Sequence, residues 1–104
     1  MRGVIWSCDR TGDGVEKLKY IKDRYLWSGI NPIKEVYSHS GSWIEFENGD
    51  NWRVASACES SRGNRSNVAL IDSRVDENFF RSVILPTLTI NPRHYEFFMP
   101  RGDN

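Results

Sequence analysis

The segment at residues 68–72, with the sequence VALID, places the strongest constraint on the fold of this chain. Four consecutive apolar residues without polar alternation are typical of a strand that is covered on both faces, as in a parallel sheet between layers of helices. A sheet with one face in water would show alternating polar positions instead. The segment therefore predicts an α/β architecture, in which the rest of the chain supplies partner strands and covering helices.

Four other segments predict further strands. Residues 3–8 are a short apolar run rich in β-forming residues, and residues 33–39 alternate weakly. Residues 43–56 predict a β-hairpin, because two alternating runs flank Asn-Gly at positions 48 and 49, a strong hairpin signal. Residues 87–90 predict a further short strand that ends at Asn91. We therefore expect an α/β fold with a small sheet of about four to five strands.

Two segments have apolar residues at spacings of three and four, which predicts amphipathic helices. The first covers about residues 14–27, with Asp13 as the predicted N-cap and Glu16 completing a capping box. The second covers about residues 74–85 and is predicted to end at Pro86. Its predicted core face consists of Val75, Phe79, Val83 and Ile84.

Length, charge and cysteine content bound the class of protein. At 104 residues, with 38% apolar residues, the chain is about one domain long and can form a core. We expect a single domain over residues 1–104, with a mobile tail at residues 93–104. Fourteen basic and fourteen acidic residues cancel, which argues against a general polyanion binder.

Cys8 and Cys58 lack CxxC spacing, and no apolar run approaches the roughly 18 residues of a membrane span. These features predict a cytoplasmic protein with reduced thiols and no membrane contact.

Asp72, at the end of the predicted strand, is the first candidate site residue. In open α/β folds, such a strand brings a carboxylate to the edge of the sheet where ligands bind. In nucleotide hydrolases, that carboxylate holds Mg²⁺ and a neighbouring Glu orients the attacking water. Here the neighbouring position is Ser73, whose hydroxyl is not a base at neutral pH. The alternative is a buried strand that ends in Asp without any chemistry.

The other half of a nucleotide site has no counterpart in the sequence. The glycine-rich loop G-x-x-x-x-G-K-[ST] needs a Gly-Lys pair, and the chain contains none. The nearest stretch, TGDGVEKLK, lacks the spacing and places acidic residues where phosphate would lie. No serine lies in a G-x-S-x-G elbow, and neither cysteine has a neighbouring His in the sequence. We therefore predict a non-enzymatic protein that uses no cofactor.

A basic loop and the residue after Ser73 provide candidate contacts for phosphate or nucleic acid. These candidates are Arg62, Gly63, Arg65 and Arg74. A glycine between two arginines would let the backbone approach a phosphate. A solvated polar loop is an equally favoured alternative. His39 and His94 have no cysteine or acid at metal-ligand spacing, so no metal site is predicted.

Three short motifs follow one another in an order that resembles a known family. They are Ile44, Phe46, Asn48 and Gly49; then Arg62, Gly63, Arg65 and Asn67; then VALID with Asp72. In this order, residues 43–93 resemble the centre of the ATPase domain of phage terminase large subunits, the motors that package DNA into capsids. The VIWSC segment and the helix after it are more loosely similar to the strand and helix that follow the family's phosphate loop.

The departures from the family's pattern decide what the resemblance implies. The family's phosphate loop would lie before residue 1, Ser73 stands in the position of the catalytic Glu, and the nuclease domain would follow residue 104. The resemblance therefore implies a truncated, catalytically degenerate terminase-like core, encoded by a phage or prophage and acting in the host cytosol. Its implied partner is a packaging component or a host protein, and a homodimer is a further expectation. The alternative function is a nucleic-acid-binding module that uses the Arg62/Arg65 loop.

Overall fold

The computed structural model describes residues 1–8, 12–38, 41–57, 64–91 and 93–99. Within these residues, the chain forms a six-stranded mixed sheet and two helical segments. The strands are β1 (Arg2–Ser7), β2 (Pro32–Ser38), β3 (Gly41–Phe46), β4 (Asn51–Ser56), β5 (Val68–Asp72) and β6 (His94–Phe98). The helix α1 (Asp13–Trp27) follows β1, and the segment α2 (residues 77–87) lies between β5 and β6.

The strands lie in the order β2-β3-β4-β1-β5-β6. Four of them are mutually parallel, since β1 pairs in parallel with β4 and β5, and β5 pairs in parallel with β6. The strand β3 is antiparallel to both β2 and β4. The carboxyl ends of β4, β1, β5 and β6 therefore meet at one edge of the sheet, where ligands of open α/β folds bind.

One helical segment covers each face of the central sheet. Leu18 and Ile21 of α1 pack on one face; their buried partners are Ile5, Ile44, Phe46 and Trp52. On the other face, Val83 and Ile84 of α2 pack with Val4, Trp6, Ala55, Ala69 and Ile71. The central strands are thus covered on both sides. The prediction of an α/β fold from the VALID segment is confirmed.

The predicted hairpin is confirmed, with a tight turn between β3 and β4. Phe46 N–H donates to the Asp50 carbonyl at 2.8 Å, and Ile44 pairs with Trp52 across the two strands. Gly49 has a φ of +95°, a backbone conformation that favours glycine over other residues. The Asn-Gly signal in the sequence therefore marks the turn that sets the register of this half of the sheet.

The sheet has six strands rather than the predicted four to five, because part of the segment predicted to be a mobile tail forms a strand. Residues 87–90 do not form the predicted strand; Thr87 belongs to α2, and Leu88 is buried in the core beside it. The tail was expected to be mobile from residue 93, whereas residues 94–98 form β6 in register with β5. Alternating aromatic side chains give this strand partners on both faces, which compensates for the entropy of ordering it.

The segment α2 begins and ends later than residues 74–85. Its N-cap is Asp76, whose carboxylate accepts hydrogen bonds from the backbone N–H groups of Asn78 and Phe79. The segment then passes through a π-helical stretch, Phe80–Ile84, before a last α-turn, Leu85–Thr87. Pro86 does not end the helix; it occupies one of the first positions of that last turn, where a missing N–H group removes little hydrogen bonding.

The start of α1 also differs from the prediction. The N-cap position is Gly12 and no side chain caps it, so Asp13 is the first residue of the helix rather than its cap. The Asp13 carboxylate accepts a hydrogen bond from Arg74 instead, at 3.0 Å from Nη2. Gly14 brings this end of the helix close to the sheet, because a Cβ atom there would lie 2.6 Å from Val54 Cγ1.

Candidate functional site

Asp72 lies at the carboxyl end of β5, where the sequence predicts it, and its side chain is fully buried. Its Oδ1 atom accepts hydrogen bonds from Arg74 N at 2.8 Å and from Arg74 Nε at 3.1 Å. Its Oδ2 atom accepts from Arg74 Nη2 at 2.7 Å and from the backbone N–H of Cys8 at 3.4 Å. Both carboxylate oxygens are therefore occupied by donors from the chain itself.

Arg74 links this carboxylate to the start of α1. Its Nη2 atom donates both to Asp72 and to Asp13 Oδ2, so one guanidinium connects β5 with the helix that follows β1. We call Asp13, Asp72, Arg74 and the Cys8 backbone the Asp72 cluster. It lies at the edge of the sheet where a nucleotide hydrolase would bind its metal, but its parts hold each other in place.

The electrostatics of the Asp72 cluster favour an ion pair between the Asp72 carboxylate and the Arg74 guanidinium. Burial would raise the pKa of Asp72, but the side-chain and backbone hydrogen bonds of Arg74, together with its charge, outweigh burial and lower that pKa below its ordinary value. The carboxylate is ionised at neutral pH and paired with a guanidinium. A magnesium ion would have to displace Arg74 from both oxygens, so the arrangement favours a structural role for Asp72.

The Cys8 thiol beside this cluster is free and exposed. Partial burial raises its pKa, the Asp72 carboxylate raises it further, and Arg74 opposes both effects. A raised pKa leaves the thiol protonated at neutral pH, and the thiolate is the nucleophilic form. The environment of Cys8 therefore does not activate it for covalent catalysis.

Ser73, which the terminase resemblance places at the position of a catalytic Glu, contacts the chain at the end of β6. Its side chain is exposed, and Oγ lies 3.4 Å from the sulfur of Met99. Its backbone N–H donates to the Phe98 carbonyl at 2.9 Å. Ser73 thus joins the turn after β5 to the end of β6.

The structure does not bring the described candidate phosphate contacts together. Arg65 precedes β5 and donates from Nε to Thr89 Oγ1 at 3.0 Å, whereas Arg74 follows β5 and is engaged with two carboxylates. The two arginines therefore lie at opposite ends of one strand. Arg62 and Gly63 are outside the described residues.

No three His, Cys, Asp or Glu side chains are placed to hold a metal ion in the part of the chain that the structure describes. His94 Nε2 lies 3.6 Å from Glu96 Oε1 on the same strand, and His39 is outside the described residues. Neither described helical segment is both long enough and apolar enough to cross a membrane.

An open cavity of about 350 Å³ lies between α1 and the end of β6. Its lining residues are Asp13, Glu16, Lys17, Lys19, Tyr20, Asp23, Phe98 and Met99. The Lys17 ammonium lies 4.9 Å from the ring centre of Tyr20 and 5.5 Å from that of Phe98. Charges of both signs alternate around the cavity, so it does not favour a ligand of one charge.

Two exposed aromatic side chains of β6, Tyr95 and Phe97, pack against the partly buried ring of Phe80 in α2. We call these three residues the β6 surface. The rings of Tyr95 and Phe97 lie 5.2 Å and 5.3 Å from the ring of Phe80. Tyr95 is 45% exposed and Phe97 is 52% exposed, on the last strand of the sheet. The sequence analysis missed this surface because it assigned these residues to a tail. The alternation in HYEFF, rich in β-forming aromatics, is the signal that predicts a strand here.

The opposite edge of the sheet, β2, has a different character. Pro32 has no N–H group to offer a further strand, and the pairing with β3 is irregular between Pro32 and Lys34. Proline, lysine and irregular pairing are features that protect edge strands from unwanted pairing. Exposed side chains such as Ile33 therefore stand on a strand that resists extension of the sheet.

Comparison with known proteins found no matching family model, no matching curated protein and no matching solved structure. The resemblance to terminase large subunits stays a prediction from the motifs given above. The contacts and exposure of this chain's own residues are therefore the basis for assigning a function.

Proposed function

We propose that this chain is a non-enzymatic protein that acts by binding another protein through the β6 surface. The observation that carries the proposal is the pair of half-exposed rings, Tyr95 and Phe97, on the last strand of the sheet that the structure describes. Large aromatic side chains held on a rigid element are the residues that contribute most to protein interfaces. Leaving them in water costs free energy, which a partner surface recovers.

The hydrogen bonds within the Asp72 cluster support a function without catalysis. The carboxylate in the metal-binding position is held by Arg74 and the Cys8 backbone. The neighbouring Ser73 side chain contacts Met99. Neither group is available to bind magnesium or to activate water, the two tasks that hydrolysis at this edge of a sheet requires.

The terminase resemblance adds a class of partner to this proposal. A phage or prophage protein that keeps the sheet but not the chemistry would bind a packaging component or a host protein in the host cytosol. The exposed free thiol of Cys8 is compatible with that reducing compartment. The identity of the partner class is thus proposed from the motifs, and the binding surface from the structure.

Nucleic-acid binding through the Arg62/Arg65 loop is the competing function. The chain has a net charge of zero, and Arg65 and Arg74 lie at opposite ends of β5. A continuous basic surface is what gives non-specific nucleic-acid affinity its strength. Arg65 and Arg74 do not contribute to one common surface, so this function has less support than protein binding.

Capture of partners by tagged protein tests the proposal. We expect the wild-type chain to retain a near-stoichiometric protein from a lysate of its host cells, and a Tyr95→Ser/Phe97→Ser variant to lose it. The matched control is Ile33→Ser/Tyr37→Ser, which removes two exposed apolar side chains from the opposite edge strand. The control should retain the partner. Equal loss in both variants, or no partner for the wild type, would contradict the proposal.

A second measurement addresses the competing function. Titration of labelled single-stranded and duplex oligonucleotides would show affinity that decreases steeply with salt if phosphate contacts carry binding. We expect no such binding from the wild-type chain. Salt-dependent affinity that decreases further in Arg62→Ala/Arg65→Ala would favour the nucleic-acid function instead.

A further inference from the structure

We propose that β6 pairs in antiparallel fashion with β6 of a second copy of this chain, about a two-fold axis at Tyr95. The two sheets then continue into one another, and the two β6 surfaces become neighbours. This inference deepens the proposed function, on which it rests, because it makes the partner-binding surface a joint property of two chains.

One row of backbone N–H and carbonyl groups of β6 faces away from β5. His94 N–H donates to the Asn67 carbonyl, and the Phe98 carbonyl accepts from Ser73 N–H, both at 2.9 Å. The even-numbered positions therefore direct their backbone groups toward β5. Because these directions alternate along a strand, the N–H and carbonyl groups of Tyr95 and Phe97 point to the outer edge. Among the described residues, no strand pairs with that edge.

Side-chain hydrogen bonding selects one register among the antiparallel pairings that these backbone groups allow. With the axis at Tyr95, His94 of one copy lies directly opposite Glu96 of the other, and the reverse pair forms by symmetry. The imidazole N–H then donates to a carboxylate on each side of the axis. Opposite charges and hydrogen-bonding pairs at facing positions stabilise a strand pair, whereas like charges at such positions destabilise it.

The neighbouring registers lack this complementarity. An axis at Glu96 would place the two Glu96 carboxylates directly opposite each other, in the close pairing position. An axis at Phe97 would place Glu96 opposite the apolar side chain of Phe98 and leave the carboxylate without a partner. Only the register centred on Tyr95 pairs Glu96 with a donor.

The same register joins the aromatic side chains. Tyr95 and Phe97 lie on the α2 side of the sheet with Phe80, whereas Phe98 packs on the α1 side. Pairing places the two Tyr95 side chains next to each other on the α2 side. The alternation continues to Arg93, which comes opposite Phe97 of the second copy, where a guanidinium can lie over a ring. The aromatic cluster of one chain thus becomes half of a two-fold surface.

Disulfide trapping tests the register. In a chain with Cys8→Ser/Cys58→Ser, Tyr95→Cys places two thiols at the axis, where facing Cα atoms are about 5.5 Å apart, within the roughly 4.4–6.8 Å range of disulfides. We expect mild oxidation to give a covalent dimer with Tyr95→Cys. The matched control Phe97→Cys, one pairing position away on the same face, should stay monomeric. Crosslinking of Phe97→Cys without Tyr95→Cys would overturn the proposed register.

A charge exchange tests the complementarity. The wild-type chain should show concentration-dependent dimerisation by analytical ultracentrifugation. Glu96→Lys places a cation opposite His94 of the second copy and should weaken dimerisation by about tenfold or more. His94→Glu/Glu96→Lys places opposite charges at both facing pairs and should recover dimerisation. A wild-type chain that is monomeric at every concentration, or a double variant that is as weak as the single one, would overturn the dimer.

Partner capture by the Glu96→Lys variant distinguishes failure of the dimer hypothesis from failure of the proposed function. The Glu96→Lys variant keeps Tyr95, Phe97 and Phe80 but should be monomeric at concentrations at which the wild-type chain is largely dimeric. Loss of the captured protein partner by this variant, with recovery in the charge-exchanged double variant, supports a surface shared by two chains. Full capture by the monomeric Glu96→Lys variant would leave the proposed function intact and overturn the joint surface.

Discussion

The Asp72 cluster and the β6 surface are neighbours in the sheet but have opposite character. In the Asp72 cluster, a fully buried carboxylate has its hydrogen bonds supplied by the chain. In the β6 surface, Tyr95 and Phe97 are about half exposed, and the backbone groups beside them have no partner strand among the described residues. The polar groups of the first region are paired within the chain, whereas the second region is, in our proposal, the surface that a partner covers.

If the proposed function is correct, this difference separates residues that stabilise the fold from residues that bind other molecules. Buried ionised groups are tolerated only when paired, so the Asp72 cluster contributes to stability through its mutual contacts. Exposed aromatic rings contribute little to stability but retain most of their area for a partner. Substitutions in the Asp72 cluster should therefore change unfolding, and substitutions in the β6 surface should change association.

The largest expected effect is that of Asp72→Ala. It removes a fully buried acceptor for two backbone N–H groups and for the Arg74 guanidinium, so four partly buried hydrogen bonds are lost together. We expect the free energy of unfolding to decrease by about 3 kcal/mol, as measured by urea denaturation. The control Asp23→Ala removes an exposed carboxylate from α1 and should change it by less than about 0.5 kcal/mol. An Asp72→Ala variant as stable as the control would mean that the cluster does not stabilise the fold.

A smaller effect, dependent on pH, is expected for Asp72→Asn. The folded pKa of Asp72 is lowered by Arg74, so its contribution to stability is present above the unfolded pKa and is lost as pH falls through the folded value. The wild-type chain should lose stability below about pH 5, and the variant should lose less over that range. Some acid dependence should stay in the variant, since the pKa values of Asp50 and Glu35 are also lowered. Denaturation curves between pH 7 and pH 3 would contradict this if the two proteins lost stability in parallel.

A still smaller decrease in stability is expected for Phe97→Ser, together with a larger effect on binding to other chains. About half of this side chain is in water, so replacing it should decrease the free energy of unfolding by about 1 kcal/mol. Partner capture should be lost because the ring lies in the β6 surface, whereas dimerisation should only weaken, since the backbone pairing and the His94–Glu96 pairs are kept. The control Ile33→Ser, on the opposite edge strand, should leave dimerisation unchanged. A Phe97→Ser variant that binds its partner as the wild type does would show that the β6 surface is not the binding surface.

The fold was predictable where the pattern was local. The VALID strand, the Asn-Gly hairpin and the spacing of Leu18 and Ile21 in α1 each carry their own signal, and the structure confirms all three. The sixth strand was missed because β6 is short and depends on β5 and α2 for its burial. Its tertiary contacts, not its propensity alone, hold it in the sheet.

The candidate site was predictable in position but not in role. The sequence correctly places Asp72 at the carboxyl end of a buried strand. It gave no indication that Arg74 turns back onto Asp72 and reaches Asp13, a residue 61 positions earlier in the chain. Whether a carboxylate is available for chemistry depends on such nonlocal pairing, which periodicity and motif spacing do not contain.

The smallest expected effect is that of Ser73→Glu, which introduces the acid that the terminase pattern has after its strand. Ser73 is exposed, so the substitution should change the free energy of unfolding by less than about 0.5 kcal/mol. We expect no hydrolysis of Mg-ATP by the wild type or by the variant, because Arg74 occupies both oxygens of the carboxylate that would hold the metal. Phosphate release above the protein-free rate measures this, with Ser73→Gln as the uncharged control of the same size. Hydrolysis by Ser73→Glu but not by Ser73→Gln would show that Arg74 yields to magnesium and that the Asp72 cluster is a catalytic site lacking one residue.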